Sequence, residues 1–254
     1  MNNHSTQMAS SADIRLIVDR VRVNSKDREL VFKLADTLAD AGSIQLADAL
    51  LENALRRMPT ATSIHASRAA LALREGKPTQ ALAHLERHCS EAPNDIEAHL
   101  AAASVELMRL QLTVAESHVQ KALRVDPKYG RSHYLLGLIY ELLKLPTAAA
   151  VAYRLAIQFD PTLWEPYNNL ALLLLEDSNN SRVGEAKALL QRAIEIAPEA
   201  HRAEVTYNLA LACVRLGDLQ TSQALVRQAL ALPHLPPTLT DKLNRLRAAT
   251  TTAQ

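Results

Sequence analysis

The stretch that decides the fold runs from Asp126 to Pro161. It opens Asp126-Pro127, continues as Tyr134-Leu135-Leu136-Gly137-Leu138-Ile139-Tyr140, breaks at Lys144-Leu145-Pro146, and closes through Ala149, Tyr153, Ala156 and Asp160-Pro161. Apolar residues recur at helical spacing on both sides of the break. A small residue sits midway through each half, and prolines stand 34 residues apart at Pro127 and Pro161. The pattern predicts two amphipathic helices joined by a short turn. One such hairpin cannot bury its apolar face alone, so the rest of the chain must repeat it.

It does. Prolines recur at Pro59, Pro93, Pro127, Pro161, Pro198 and Pro233, at spacings of 34, 34, 34, 37 and 35 residues. Ala47, Ala81, Ala115, Ala149 and Ala186 keep the same phase at one position of the second helix. Ala54, Ala122, Ala156, Ala193 and Ala229 keep it at a later one. In the 126–161 stretch, His133, Leu136, Gly137, Tyr140, Ala149, Tyr153, Ala156 and Pro161 occupy the signature offsets of the tetratricopeptide repeat, which this chain resembles. The resemblance covers about residues 26–233 and implies an all-α, right-handed α-solenoid of six helix–turn–helix repeats. These are expected at 26–59, 60–93, 94–127, 128–161, 162–198 and 199–233. A helix is expected within 11–25 behind a polar N-terminus at 1–10, either a leading cap on the first repeat or the second helix of a degenerate half-repeat, with a capping helix and tail at 234–254. That last helix is expected to be capped by Thr240 and to run to about Ala248.

Deviations from the signature are informative. Arg68 stands where leucine is usual, His88 where alanine is usual, and Leu110 where the turn glycine is usual. Three extra residues fall within Asp177 to Gly184, whose composition reads as a lengthened turn.

Composition narrows the function. Apolar residues make up 48% and aromatics 4%, which favours helices packed through small side chains over a sheet protein. With 28 basic and 27 acidic residues the formal net charge is +1, so no basic surplus exists to neutralise a nucleic acid. No run approaches the roughly 18 apolar residues a membrane span needs. The N-terminus shows no secretory pattern, and the cytoplasm is the expected compartment. Cys89 and Cys213 are read as reduced, buried core residues. There is no Gly-rich phosphate loop, no Gly-x-Ser-x-Gly and no His-Glu-x-x-His. The chain is therefore read as a non-enzyme without a cofactor.

His84 and His88 lie one helical turn apart beside Cys89, and His65 and His99 occupy matching positions of neighbouring first helices. Imidazole and thiolate are zinc ligands, but the spacing is a weak signal, scattered histidines in Ala-rich helices commonly pack or face water, and no metal site is assigned.

The resemblance also implies where a partner would sit. In this family the first helix of each repeat lines a concave surface through its second, fifth, ninth, twelfth and thirteenth positions. In repeats three to six the groove residues so implied are Leu100, Leu107, Met108, Arg131, Tyr134, Leu138, Leu142, Asn168, Leu172, Leu175, Tyr207, Leu211 and Arg215. Asn169 and Asn208, at the sixth position, add amides able to grip a peptide backbone. Glu97, Glu141, Glu165, Glu176 and Glu204 give that surface an acidic edge. The basic clamp with which some members hold chaperone tails is absent, since Tyr134 and Leu138 occupy its first positions. The expected function is an adaptor or assembly scaffold, of bacterial style, holding a protein or peptide segment in the groove of repeats three to six. A self-assembling oligomeric platform, or a recruiting subunit of an enzyme or of a secretion, pilus or envelope complex, are the alternatives.

Overall fold

The computed structural model describes residues 27–176, 180–233 and 235–251. The leading helix expected within 11–25 lies outside them. The described residues form α-helices, with one short 3-10 turn, and divide into two compact units, residues up to Val125 and from Asp126 onward.

The first unit holds three hairpins: α1 (Arg28–Asp40) with α2 (Ile44–Arg57), α3 (Ser63–Arg74) with α4 (Pro78–Glu91), and α5 (Ile96–Met108) with α6 (Leu112–Val125). The second holds three more: α7 (Gly130–Leu142) with α8 (Pro146–Phe159), α9 (Trp164–Glu176) with α10 (Val183–Ile196), and α11 (Glu199–Arg215) with α12 (Leu219–Leu230). A final helix, α13 (Pro237–Thr251), follows. Within each unit every hairpin packs on the next, so each is a short α-solenoid.

Local chemistry explains where the helices begin and turn. Asp27, Asp95 and Asp218 accept hydrogen bonds from the Leu30, Ala98 and Thr221 amides at the N-termini of α1, α5 and α12. Pro78 and Pro146 occupy first helical positions, where no amide is needed. Outside the partly described α9–α10 connection, each turn inside a hairpin passes through one residue of positive φ: Gly42, Gly76, Leu110, Lys144 and Gly217. The next amide then bonds a carbonyl five residues back, from Ser43 to Leu38, Lys77 to Ala72, Gln111 to Glu106, Leu145 to Tyr140 and Asp218 to Cys213. This is the Schellman closure. Leu110 and Lys144 adopt it at φ 58° and 60° although they carry a Cβ.

The crossings are made by small residues. Ala47, Ala81, Ala115, Ala149 and Ala186, on the second helices, are all fully buried, and Ser222 takes the place in α12. Gly137 of α7 receives the buried ring of Tyr153 from α8; a Cβ there would overlap ring carbons Cδ1 and Cε1. A second tie recurs along the chain. His99 Nε2 bonds the Pro93 carbonyl at 3.0 Å, His133 Nε2 the Pro127 carbonyl at 2.8 Å, and the Tyr167 hydroxyl reaches the Pro161 carbonyl at 3.5 Å.

The departures from the signature are compensated. Arg68 makes a two-pronged contact with Asp48 on α2, at 2.7 and 3.0 Å. His88, buried at the usual alanine position, bonds Asp95 at 2.8 Å, the residue that also caps α5. Two expectations are corrected. Val183 and Gly184 begin α10 instead of continuing a turn, because Val183 is buried in the core; Asn180–Arg182 before them form a 3-10 turn. Thr240 does not cap the last helix: α13 starts at Pro237, and the Thr240 hydroxyl donates back to the Pro236 carbonyl.

Two substitutions test this packing in opposite directions. Gly137→Ala must displace the Tyr153 ring and should lower the stability of the second unit by about 1–3 kcal/mol in urea unfolding. Leu110→Gly keeps the left-handed turn but removes the Cβ that strains it, at a residue 68% exposed with little packing to lose. Relief of about 1–2 kcal/mol of strain, less the entropy of glycine, should leave a gain of roughly 0.5–1 kcal/mol.

Candidate partner-binding surface

In the second unit, α7 carries Arg131, Tyr134, Leu138 and Leu142 at spacings of three and four, which place them on one helix face. Arg131 is exposed, Tyr134 and Leu138 are half-buried, and Leu142 is 45% exposed. On α9 the corresponding face is Glu165, Asn169, Leu172 and Glu176, of which Leu172 is half-buried and Glu176 exposed. The two faces are tied by polar contacts. The Asn169 amide hydrogen-bonds the hydroxyls of both Tyr134 and Tyr153, and the Tyr153 hydroxyl donates to Glu141 at 2.7 Å. The Tyr134 and Tyr153 rings lie 6.2 Å apart.

Burial, and then the Glu165 and Glu141 carboxylates, push the Tyr134 hydroxyl up to about 12. Burial and the hydrogen bond to Glu141 push Tyr153 above the ordinary tyrosine range. Both phenols stay neutral near pH 7, so Tyr134 presents a hydroxyl able to donate or accept.

Other residues expected at the groove turn inward. Asn168, one position round the helix from Asn169, is buried; its oxygen accepts from the Asn208 amide at 2.9 Å, and its own amide donates to Asn169 at 3.2 Å. Asn168 and Asn208 therefore join α9 to α11 and are not available to a peptide backbone. Leu175 is buried in the core of the unit, and its carbonyl accepts from Arg215. On α11, half-buried Tyr207 and Leu211 pack with Leu239, Leu243 and Leu246 of α13, and the Lys242 ammonium lies 6.0 Å from the Tyr207 ring centre. The last helix thus covers part of the stripe that α11 would otherwise present. The open remainder is Arg131, Tyr134, Leu138, Leu142, Asn169 and Leu172.

The repeat-three residues belong to the first unit. Leu100 is 2% exposed, in the core, and so presents no surface; Leu107 is half-buried and Met108 is 71% exposed.

The four histidines weighed as metal ligands do not gather. His88 is bonded to Asp95, while His65 stacks on His84 at 6.0 Å and has Nε2 3.8 Å from Glu91. His99 instead meets His118, with Nδ1 atoms 3.4 Å apart, beside Cys89. His118 was not singled out from the sequence. The signal was there: His65 and His84 recur 34 residues later as His99 and His118.

The tetratricopeptide repeat family model matches residues 32–96 and 100–163, together more than half of the chain. The chain belongs to that family. No curated protein sequence matches it. Among solved structures, it is similar to one from a functional characterisation of Pseudomonas aeruginosa pilF: TM-score 0.71, 16% identity, 87% of this chain and 97% of that one. A tetratricopeptide repeat protein from Parabacteroides merdae gives 0.67 at 16% identity, over 93% and 91% of the two chains. Yeast Tom70 gives 0.69 at 16% identity, over 96% of this chain and 59% of that one. These likenesses establish the fold class, an α-solenoid of helical hairpins. Proteins of the family generally mediate protein–protein contact and complex assembly, and the family is generally non-catalytic. No helix among the described residues is long and apolar enough to cross a membrane.

Proposed function

We propose that the chain is a non-catalytic adaptor or assembly scaffold whose second unit holds a segment of a partner protein along the face made by α7 and α9. The observation that carries this reading is the stripe of Tyr134, Leu138, Leu142 and Leu172, apolar or aromatic, none of them fully buried, on adjacent first helices. Tyr134 and Leu138 lean on the core, but Leu142 stays 45% exposed at the end of the stripe. A continuous apolar strip bounded by charge fits a segment with apolar anchors. Glu165 and Glu176 lie on one side and Arg131 at one end, so the complementary segment carries basic residues beside its anchors. Asn169 does not grip the partner's backbone in this reading; it holds Tyr134 in place. The two free thiols, Cys89 and Cys213, suit the cytoplasm.

The test is affinity capture from the native lysate with wild type and with Leu142→Asp/Leu172→Asp, circular dichroism first showing the double variant folded. A partner recovered with wild type and lost with the variant supports the α7–α9 face. A partner recovered equally with both places the contact elsewhere. If neither recovers a partner while mass rises with concentration, self-assembly replaces the adaptor reading.

A further inference from the structure

The first unit carries a second feature, unrelated to the α7–α9 face. Cys89 on α4, His99 on α5 and His118 on α6 come from three helices of two consecutive hairpins, and their ligand atoms all lie within 4.8 Å of one another. All three are buried, at 8%, 3% and 7% exposure. We propose that Cys89, His99 and His118 form a binding site for zinc, with the fourth coordination position open to solvent.

The geometry is close to what the ion requires. Two zinc–nitrogen bonds of about 2.0–2.1 Å at a tetrahedral angle put the nitrogens roughly 3.4 Å apart. The Nδ1 atoms of His99 and His118 are 3.4 Å apart. His99 is also fixed in the required tautomer. Its Nε2 donates to the Pro93 carbonyl at 3.0 Å, so Nδ1, 3.4 Å from the His118 Nδ1, is left with a lone pair. A backbone carbonyl holding the far nitrogen is the usual outer-shell support of a metal-bound histidine. The three residues line an opening of about 770 Å³, whose wall also includes Glu86, Lys121 and Arg124. It gives the ion a path in and room for water as fourth ligand.

The competing reading is a hydrogen bond between two buried imidazoles with the thiol as bystander. The repeats themselves provide the control. One repeat on, His133 makes the same carbonyl contact, at Pro127, with Phe159 as its ring neighbour. There Leu123 and Ala152 stand at the places of Cys89 and His118. Tying the helix to the proline therefore needs neither a second imidazole nor a thiol. One repeat back, His65 and His84 preserve the imidazole pair, but Leu55 replaces the thiol. All three donors coincide in one of these three successive repeats.

Without metal, Cys89 and His118 are neutral near pH 7. Burial pushes the Cys89 thiol up to about 11 against the pull of Lys121, and burial, then Lys121 and His99, push His118 down to about 4. On binding, the thiol proton passes to solvent, a zinc–sulfur bond forms, and each histidine gives the Nδ1 lone pair. No oxidation state changes. The bound ion joins α4 to the α5–α6 hairpin.

The test uses the full chain without a histidine tag, stripped with chelator. Zinc retention after dialysis is measured by elemental analysis, and Co²⁺ titration reports ligation through its thiolate charge-transfer band. Wild type should retain one zinc, show the band, and gain several degrees in Tm with zinc. Cys89→Ser should lose the band. His118→Ala should weaken cobalt binding by at least about tenfold, and His84→Ala should change neither. Zinc-free circular dichroism of each variant establishes that it is folded. Absence of retained zinc and of the cobalt band in wild type overturns the site, as does an undiminished band in folded Cys89→Ser.

Discussion

The fold depends on a distance set by methyl groups. At each crossing between the two helices of a hairpin the second helix presents alanine, or serine in α12, with no exposed surface. A larger side chain in such a closely packed, fully buried position costs stability. In the second unit the constraint is sharpest where Gly137 leaves room for the ring of Tyr153. That ring fills the space between α7 and α8, and its hydroxyl meets Glu141 and Asn169. One aromatic side chain thus both closes a hairpin and orders the polar contacts beneath the α7–α9 face. The surface available to a partner is a consequence of how tightly the hairpin closes.

Backbone chemistry keeps the repeats in register where side chains drift. The turn at Leu110 and that at Lys144 lack glycine, yet both pass through positive φ and make the same closing hydrogen bond as the glycine turns. A five-residue backbone bond is indifferent to the side chain at its bend, except for the strain it imposes. Side-chain hydrogen bonds offset the other departures: Arg68 is held by Asp48, and His88 by Asp95.

The helical hairpins were legible in the sequence because period, prolines and alanines all report on backbone geometry and close contact, which the order of residues carries. The candidate face was legible only as a helix face. Leu142 and Leu172 are open to solvent at least in part, but Leu100, Asn168, Leu175 and Asn208 are buried. Position in a repeat tells which way a side chain points, and a difference of one residue turns it through roughly a quarter of a turn toward the neighbouring hairpin. Asn168 and Asn169 show this directly, one bonded inward to Asn208 and the other to the tyrosines. The cover over Tyr207 and Leu211 depends on where α13 docks, which no local pattern encodes. His118 was legible only by comparing positions 34 residues apart; no spacing within its own helix marks it.

The measurement that bears most directly on the central claim is site-specific photo-crosslinking in the native host. A photoreactive residue would be placed in turn at Leu142 and Leu172 on the α7–α9 face, and at Val151 on α8, which is 54% exposed. The account predicts a discrete protein adduct from Leu142 and Leu172 and none from Val151. An adduct from Val151 with none from the other two would contradict it.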